Sequence, residues 1–260
     1  LLVSLTGCSL PQVKAEDRLF LPLSLEFLGS YQLPKQEFQG TKLGGLSGLT
    51  YDRQQNQLYA ISDDRSNFAP ARFYKAQITL APAGSQPGLQ TISLQAVTPL
   101  KDKTGNPYPA GSIDPEGIAL SPRHSLFISS EGDTDHGIAP FIDEFDLQTG
   151  AWRGSLPIPN RYLPNPEKTR GVQNNRGFES LTLSTISTDA REPFRLFAAI
   201  ESSLQQDLPA SELVSSRTQA SAEPQAQPKP SSLRFLHYLV GETQTLLISE
   251  HLYPLEPPPE

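Results

Sequence analysis

Leu46-Ser-Gly-Leu-Thr-Tyr-Asp52, followed by Gln57-Leu-Tyr-Ala-Ile-Ser-Asp-Asp64, is a strand, a polar turn and a second strand that closes on carboxylates. The pattern returns as Pro115-Glu-Gly-Ile-Ala-Leu-Ser121 with Ser125-Leu-Phe-Ile-Ser-Ser-Glu131. It returns again as Phe178-Glu-Ser-Leu-Thr-Leu-Ser184 with Arg195-Leu-Phe-Ala-Ala-Ile-Glu201. The matched positions Ser47, Glu116 and Glu179 are 69 and then 63 residues apart. That period exceeds the roughly 40–45 residues of the shortest propeller repeats, and loop insertions account for the excess.

Working outward, Arg72-Phe-Tyr-Lys-Ala-Gln-Ile78 and Leu89-Gln-Thr-Ile-Ser-Leu94 add two strand-like runs to the first unit. Ile142-Asp-Glu-Phe-Asp-Leu147 and Trp152-Arg-Gly-Ser-Leu156 add two to the second. Four strands per unit is the make-up of a propeller blade. The expected fold is therefore an all-β propeller with about three four-stranded blades. A sandwich also uses short strands and turns, but it does not require one strand-turn-strand signature at an interval. Closed propellers have at least four blades, so a larger closed propeller is expected, with further blades after Glu260. Upstream, Leu23–Leu28 and Gly29–Leu33 alternate enough to predict strand. The Ser/Ala/Gln/Pro-rich stretch 208–232 predicts a surface loop insertion without a packed core.

The chain has 260 residues, 25 of them proline and 18 glycine, which suits many short elements and turns. Its formal net charge of −7 lacks the basic footprint of polyanion binding, so no nucleic acid partner is expected. An acidic balance fits a site for cations. No apolar run approaches the roughly 18 residues that span a bilayer.

The chain contains no methionine, so residues upstream of Leu1 are expected. The opening apolar stretch ends in Leu5-Thr-Gly-Cys8, which resembles the lipobox of bacterial lipoprotein signals. On this reading residues 1–8 are residual signal with Cys8 as the lipidation site, 9–22 a polar tether, and 23–260 a partial propeller domain. The alternative is a stray cysteine on a first strand. Two or three acyl chains would anchor the protein stably, so a lipid-anchored location on the periplasmic or extracellular face of the cell envelope is expected. A single cysteine excludes both an intramolecular disulfide and a thiolate metal cage.

Inner strands line a propeller's channel, so Glu116 and Glu179 are expected to converge there. Gathered carboxylates repel one another unless a cation sits among them. The acids that close the second strands, Asp63, Asp64, Glu131, Asp133 and Glu201, are expected near the channel's other mouth or in top loops. Hard oxygen donors without a Cys or His cluster favour Ca²⁺ or Mg²⁺ over zinc. Taken singly, each acid also reads as a strand-end cap that accepts backbone hydrogen bonds. Arg65, Arg72, Arg170 and Arg176 stand in or beside the same loops and offer planar forks for phosphate oxygens, or equally partners for the neighbouring acids. His136, beside Asp135, reads as a general acid or base or as a solvated loop histidine.

Three ordered segments carry a resemblance. They are Gly44-Gly-Leu-Ser-Gly-Leu49 with Ser62-Asp-Asp-Arg65; Asp114-Pro-Glu-Gly-Ile118 with Ser130-Glu-Gly-Asp133; and Asn174-Asn-Arg-Gly-Phe-Glu-Ser-Leu181 with Ala199-Ile-Glu-Ser202. Together they resemble the phytase-like propeller family, over about residues 25–255. Asp-Pro-Glu-Gly by itself also occurs in lactonase-type propellers. The resemblance implies hydrolysis of phosphate esters, with calcium as cofactor by similarity to alkaline propeller phytases. Glu116 and Glu179 are then the catalytic candidates, and Arg65, Arg72 and Arg176 the substrate-binding ones. The metal candidates are Glu116, Glu179, Asp63, Asp64, Glu131 and Glu201. Calcium bridging acids to a phosphate would need no side-chain nucleophile. A small-molecule phosphate ester is the expected partner, and a monomer the expected state. A non-catalytic binding propeller and a lactonase-like hydrolase are the alternatives. A serine hydrolase fits poorly, because Gly45-Leu-Ser-Gly-Leu49 misses the closing glycine of a nucleophile elbow. A histidine phosphatase fits poorly too, since no Arg-His-Gly signature is present.

Overall fold

The computed structural model describes residues 25–81, 88–184, 191–208 and 232–255. Cys8, the tether and most of the 208–232 insertion lie outside these residues. Three four-stranded antiparallel sheets form, each a meander whose strands pair in chain order. The first contains β3 (Leu46–Asp52), β4 (Gln57–Ser62), β5 (Arg72–Leu80) and β6 (Leu89–Pro99). The second contains β7 (Pro115–Leu120), β8 (Ser125–Ser130), β9 (Phe141–Asp146) and β10 (Trp152–Ser155). The third contains β11 (Phe178–Ser184), β12 (Phe194–Ile200), β13 (Ser232–Val240) and β14 (Thr245–Pro254). The innermost strand of each sheet neighbours the next, β3 beside β7 and β7 beside β11, which is the arrangement of propeller blades.

The core lies between blades rather than inside any one of them. Tyr59, Ile61 and Phe73 of blade 1 meet Leu126, Ile128 and Phe145 of blade 2. Phe127 and Ile142 of blade 2 meet Leu196, Ala198, Leu236 and Tyr238 of blade 3. Strand β8 therefore sends alternate side chains into two different cores, and every residue from Ser125 to Ser130 is buried. Each fully buried Leu, Ile or Phe contributes about 1.5–3 kcal/mol, so the blades are held mainly by their neighbours.

The expected strands over Leu23–Leu33 do not form within the described residues. Leu25 and Phe27 are exposed, and the segment is tied to blade 1 by the Leu89 amide donating to the Leu28 carbonyl at 3.0 Å. Alternating side chains make a strand only where a neighbour completes the ladder. A short hairpin, β1 (Glu37–Phe38) with β2 (Thr41–Lys42), follows instead. It lies against β5, where Thr41 and Tyr74 share a hydroxyl hydrogen bond of 2.9 Å.

Candidate active site

Each inner strand begins with the same irregularity. Leu46 pairs Ser62 and Leu49 pairs Ala60, so β3 carries one extra residue there. The same extra residue falls between Pro115 and Ile118 in β7 and between Phe178 and Ser180 in β11. A bulge of this kind bends the strand and re-aims a side chain. The residues in the bulges are Ser47, Glu116 and Glu179, the matched positions of the repeat.

A second equivalence lies opposite. The amides of Asp63, Glu131 and Glu201 donate to the carbonyls of Gly45, Asp114 and Gly177 at 2.7, 3.0 and 2.9 Å. The end of each second strand is thus fixed to the residue that opens its inner strand. This corrects the expected placement at another mouth or in top loops. In an antiparallel hairpin the second strand ends where the first began, so Glu131 and Glu201 stand beside the inner-strand glutamates.

Two groups of carboxylates result. Oxygens of Asp114, Glu116 and Glu131 lie within 4.8 Å of one another, as do those of Glu131, Glu179 and Glu201. Glu131 is common to both and is buried; its Oε1 accepts the Gly177 amide at 2.5 Å. In blade 1, Ser47 replaces the glutamate, and its hydroxyl donates to Glu116 Oε2. Glycines let the strands approach this closely. A Cβ on Gly48 would lie 2.5 Å from the Glu116 carbonyl, and one on Gly117 would lie 3.0 Å from the Leu181 amide nitrogen.

Burial, reinforced by neighbouring negative charge, raises the carboxyls of Glu131, Glu116, Glu179 and Asp114 above their ordinary range. Burial pushes Glu131 up to about 8, against the pull of the Gly177 amide and with the help of Glu116, Glu179 and Asp114. Burial pushes Glu116 to about 7, opposed by Ser47 and reinforced by Glu179, Asp114 and Asp63. Glu179 and Asp114 are also raised, first by burial; charge from Glu201 adds to this for Glu179, whereas Arg65 opposes it for Asp114. Acidic oxygens with no imidazole or thiolate among them are a donor set for a hard divalent cation.

A cavity of about 560 Å³ opens beside the cluster, between the acids and the loop after β4. Arg65 crosses it, donating to Asp114 and to Asn175 Oδ1 and lying 3.8 Å from Asp133, so one side chain clasps all three blades. Arg72 and Asp64 also line it, but they face one another. The buried Arg72 guanidinium donates to Asp64 at 2.8 Å, to the Tyr74 hydroxyl at 2.8 Å and to the Lys42 carbonyl at 3.0 Å. Asp64 further accepts the amides of Asn67, Phe68 and Ala69. Burial raises its carboxyl, but Arg72 and those amides outweigh it and hold the group below the ordinary range. Both residues thus brace the loop and stand apart from the carboxylate groups.

Asp63 is exposed at the cavity and lies outside both groups, yet its charge reaches Asp114, Glu116 and Glu179. Arg170 and Arg176 are exposed. His136 is exposed and bonds Asp133 at 2.8 Å, and Asp135 pairs with Lys168. Asp114 was not among the residues expected from sequence. The matched positions in the other two blades are Gly45 and Gly177, so the repeat carries no acid there to mark it.

A family model described as the esterase-like activity of phytase matches residues 41–260. The chain belongs to the phytase-like family. No curated protein matches the sequence, so the family model alone carries the assignment. The match opens at Thr41 in β2, and its span contains every acid of the two groups as well as the Arg65 clasp. For this phytase-like protein the hydrolase class holds at the level of the family. Among the described residues, no helix is long and apolar enough to cross a membrane.

Proposed function

We propose that this protein is a divalent-cation-dependent phosphoesterase, with calcium the expected ion, acting outside the cytoplasm on phosphorylated small molecules. The convergence of Asp114, Glu116, Glu131, Glu179 and Glu201 beside an open cavity carries this reading. These residues would hold the cation. When bound, it would offset their charge, draw in phosphate oxygens and favour ionisation of water.

The chain's own groups supply the rest. Arg65, partly exposed on the cavity wall and already bonded to Asp114 through one nitrogen, offers its remaining N–H groups to a phosphate oxygen. Glu116, bonded by the Ser47 hydroxyl, and Glu179 are the groups proposed to take a proton from the attacking water. The water oxygen bonds to phosphorus, the phosphorus–oxygen bond to the alcohol breaks, and the proton passes to the departing alkoxide. Inorganic phosphate and the free alcohol are the products.

The lipobox-like Leu5–Cys8 supports attachment to the cell envelope by a lipid on Cys8, and we propose a monomer with no other contact to the membrane. Cys8→Ser is expected to move the protein from the membrane to the soluble fraction; an unchanged membrane fraction would remove the anchor. The hydrolase reading is tested on a panel of phosphate esters and lactones with calcium, magnesium or a chelator. Phosphate release that needs the cation supports it. Lactone opening alone would point to a lactonase-like hydrolase. Cation binding without turnover of any ester would leave a binding propeller.

A further inference from the structure

The loop after β4 holds an aromatic ring away from the core. Phe68 is 83% exposed, although its backbone amide is bonded to a buried side chain. Its amide and those of Asn67 and Ala69 donate to the buried Asp64 carboxylate, which Arg72 grips from behind. The Ala71 amide donates to Ser66 Oγ at 2.9 Å, and the Gly111 amide to the Arg65 carbonyl at 2.7 Å. These bonds fix the loop path that carries the ring out to the cavity and away from the buried core. It lines the cavity together with Asn67, Lys42, Arg65, Asp114 and Glu116.

The charge around the cavity narrows what fits there. Two of its three cations are committed to carboxylates, Arg72 to Asp64 and Arg65 to Asp114, and Lys42 is the third. Asp63, Asp114 and Glu116 face them. Phosphates beyond the one held by a cation would face these acids with little side-chain positive charge to offset them. A single phosphate drawn to the acidic side by a cation leaves the rest of the molecule over Phe68.

Building on the phosphoesterase reading, we propose that Phe68 is a specificity-determining residue, and that the favoured ester carries one phosphate on an apolar or aromatic alcohol. The ring's face accepts the apolar body while the acids hold the cation and its phosphate. Covering one aromatic surface with another makes a difference of about tenfold in affinity.

The test uses two non-hydrolysable probes, benzylphosphonate and methylphosphonate, titrated calorimetrically into the calcium-loaded full chain, with turnover of benzyl phosphate and glycerol 1-phosphate followed in parallel. Wild type is expected to bind the benzyl probe about tenfold more tightly. In Phe68→Ala the ratio should fall to near 1, and in Phe68→Trp it should persist. Equal binding of the two probes by wild type overturns the proposal even if both esters are hydrolysed. A benzyl preference that depends on Phe68 without turnover of either ester upholds it and removes the hydrolase reading. Neither binding nor turnover removes both. A marked fall in melting temperature of ligand-free Phe68→Ala would show that the ring is already covered in the full chain, and would also overturn it.

Discussion

Glu131→Gln removes one charge from the residue shared by both carboxylate groups while keeping its shape. The Gln carbonyl can accept the Gly177 amide as Glu131 Oε1 does at 2.5 Å, and its new N–H₂ faces the carboxylates of Glu116 and Glu179. In the unfolded chain this side chain ionises near 4.5, and in the fold near 8. A carboxyl raised in this way stabilises the fold fully below pH 4.5, and that contribution is lost as pH rises through 8. At about 1.4 kcal/mol for each tenfold change in protonation, the wild-type fold should lose ~3 kcal/mol between pH 4.5 and 7 through this group. The glutamine variant escapes that loss. In chelator at pH 7 it should be more stable than wild type by ~3 kcal/mol, or about 10 °C in melting temperature for a chain of this size. At pH 4.5 the two should melt together. Calcium reverses the order at pH 7, because wild type gains a bound ion and the variant loses a ligand. The measurement is thermal melting across pH 4.5–8 in chelator and in calcium. A variant with the wild-type slope, or one less stable at pH 7 in chelator, would refute the reading of Glu131 as a buried, repelled carboxylate.

Three further outcomes are expected. Gly117→Ala should cost ~1–3 kcal/mol in urea unfolding, since its Cβ would meet Ser129 Oγ at 2.6 Å and the Leu181 amide nitrogen at 3.0 Å; a neutral result would mean that the inner strands are not in contact there. Asp64→Asn should destabilise by ~3–5 kcal/mol by leaving the buried Arg72 unpaired, and Asp64→Asn with Arg72→Met should cost less than the two single changes together; strict additivity would count against the pair. Calcium should raise the melting temperature of wild type, adding ~1.4 kcal/mol per tenfold concentration above its dissociation constant. The Glu116→Gln, Glu179→Gln double variant should lose most of that response, and a response kept in full would place the ion elsewhere.

The blades were legible because repetition survives where propensity is weak. Strands β3, β7 and β11 begin and end within a residue of their expected positions, since each opens with the same turn and bulge. Blade 3 was less complete: the outer strands β13 and β14 stand beyond the long insertion, without a matching signature to mark them. Alternation misled at Leu25 and Phe27, where the pattern is right but no adjacent strand completes the ladder. Glu116, Glu131, Glu179 and Glu201 stand out in the sequence as matched acids, but their meeting at a common end does not, because a repeat gives equivalence between blades and not proximity within a hairpin. Arg72 shows the same gap in another form. Its type suggests a phosphate fork, while its contacts to Asp64 and Tyr74 depend on a loop path that no local pattern encodes.

The group formed by Glu131, Glu179 and Glu201 draws on two blades, and this has a geometric consequence. Glu116 and Glu131 belong to blade 2, while Glu179 and Glu201 come from blade 3. Their separation is therefore set by the angular pitch between the sheets, which in turn follows the bulk of the side chains wedged between them. Phe127, Ile142, Leu196 and Tyr238 act as spacers for atoms they never touch. A methylene added or removed there would widen or narrow the nest of oxygens, so the preference between a larger and a smaller ionic radius is tunable from the apolar interior without altering a single ligand.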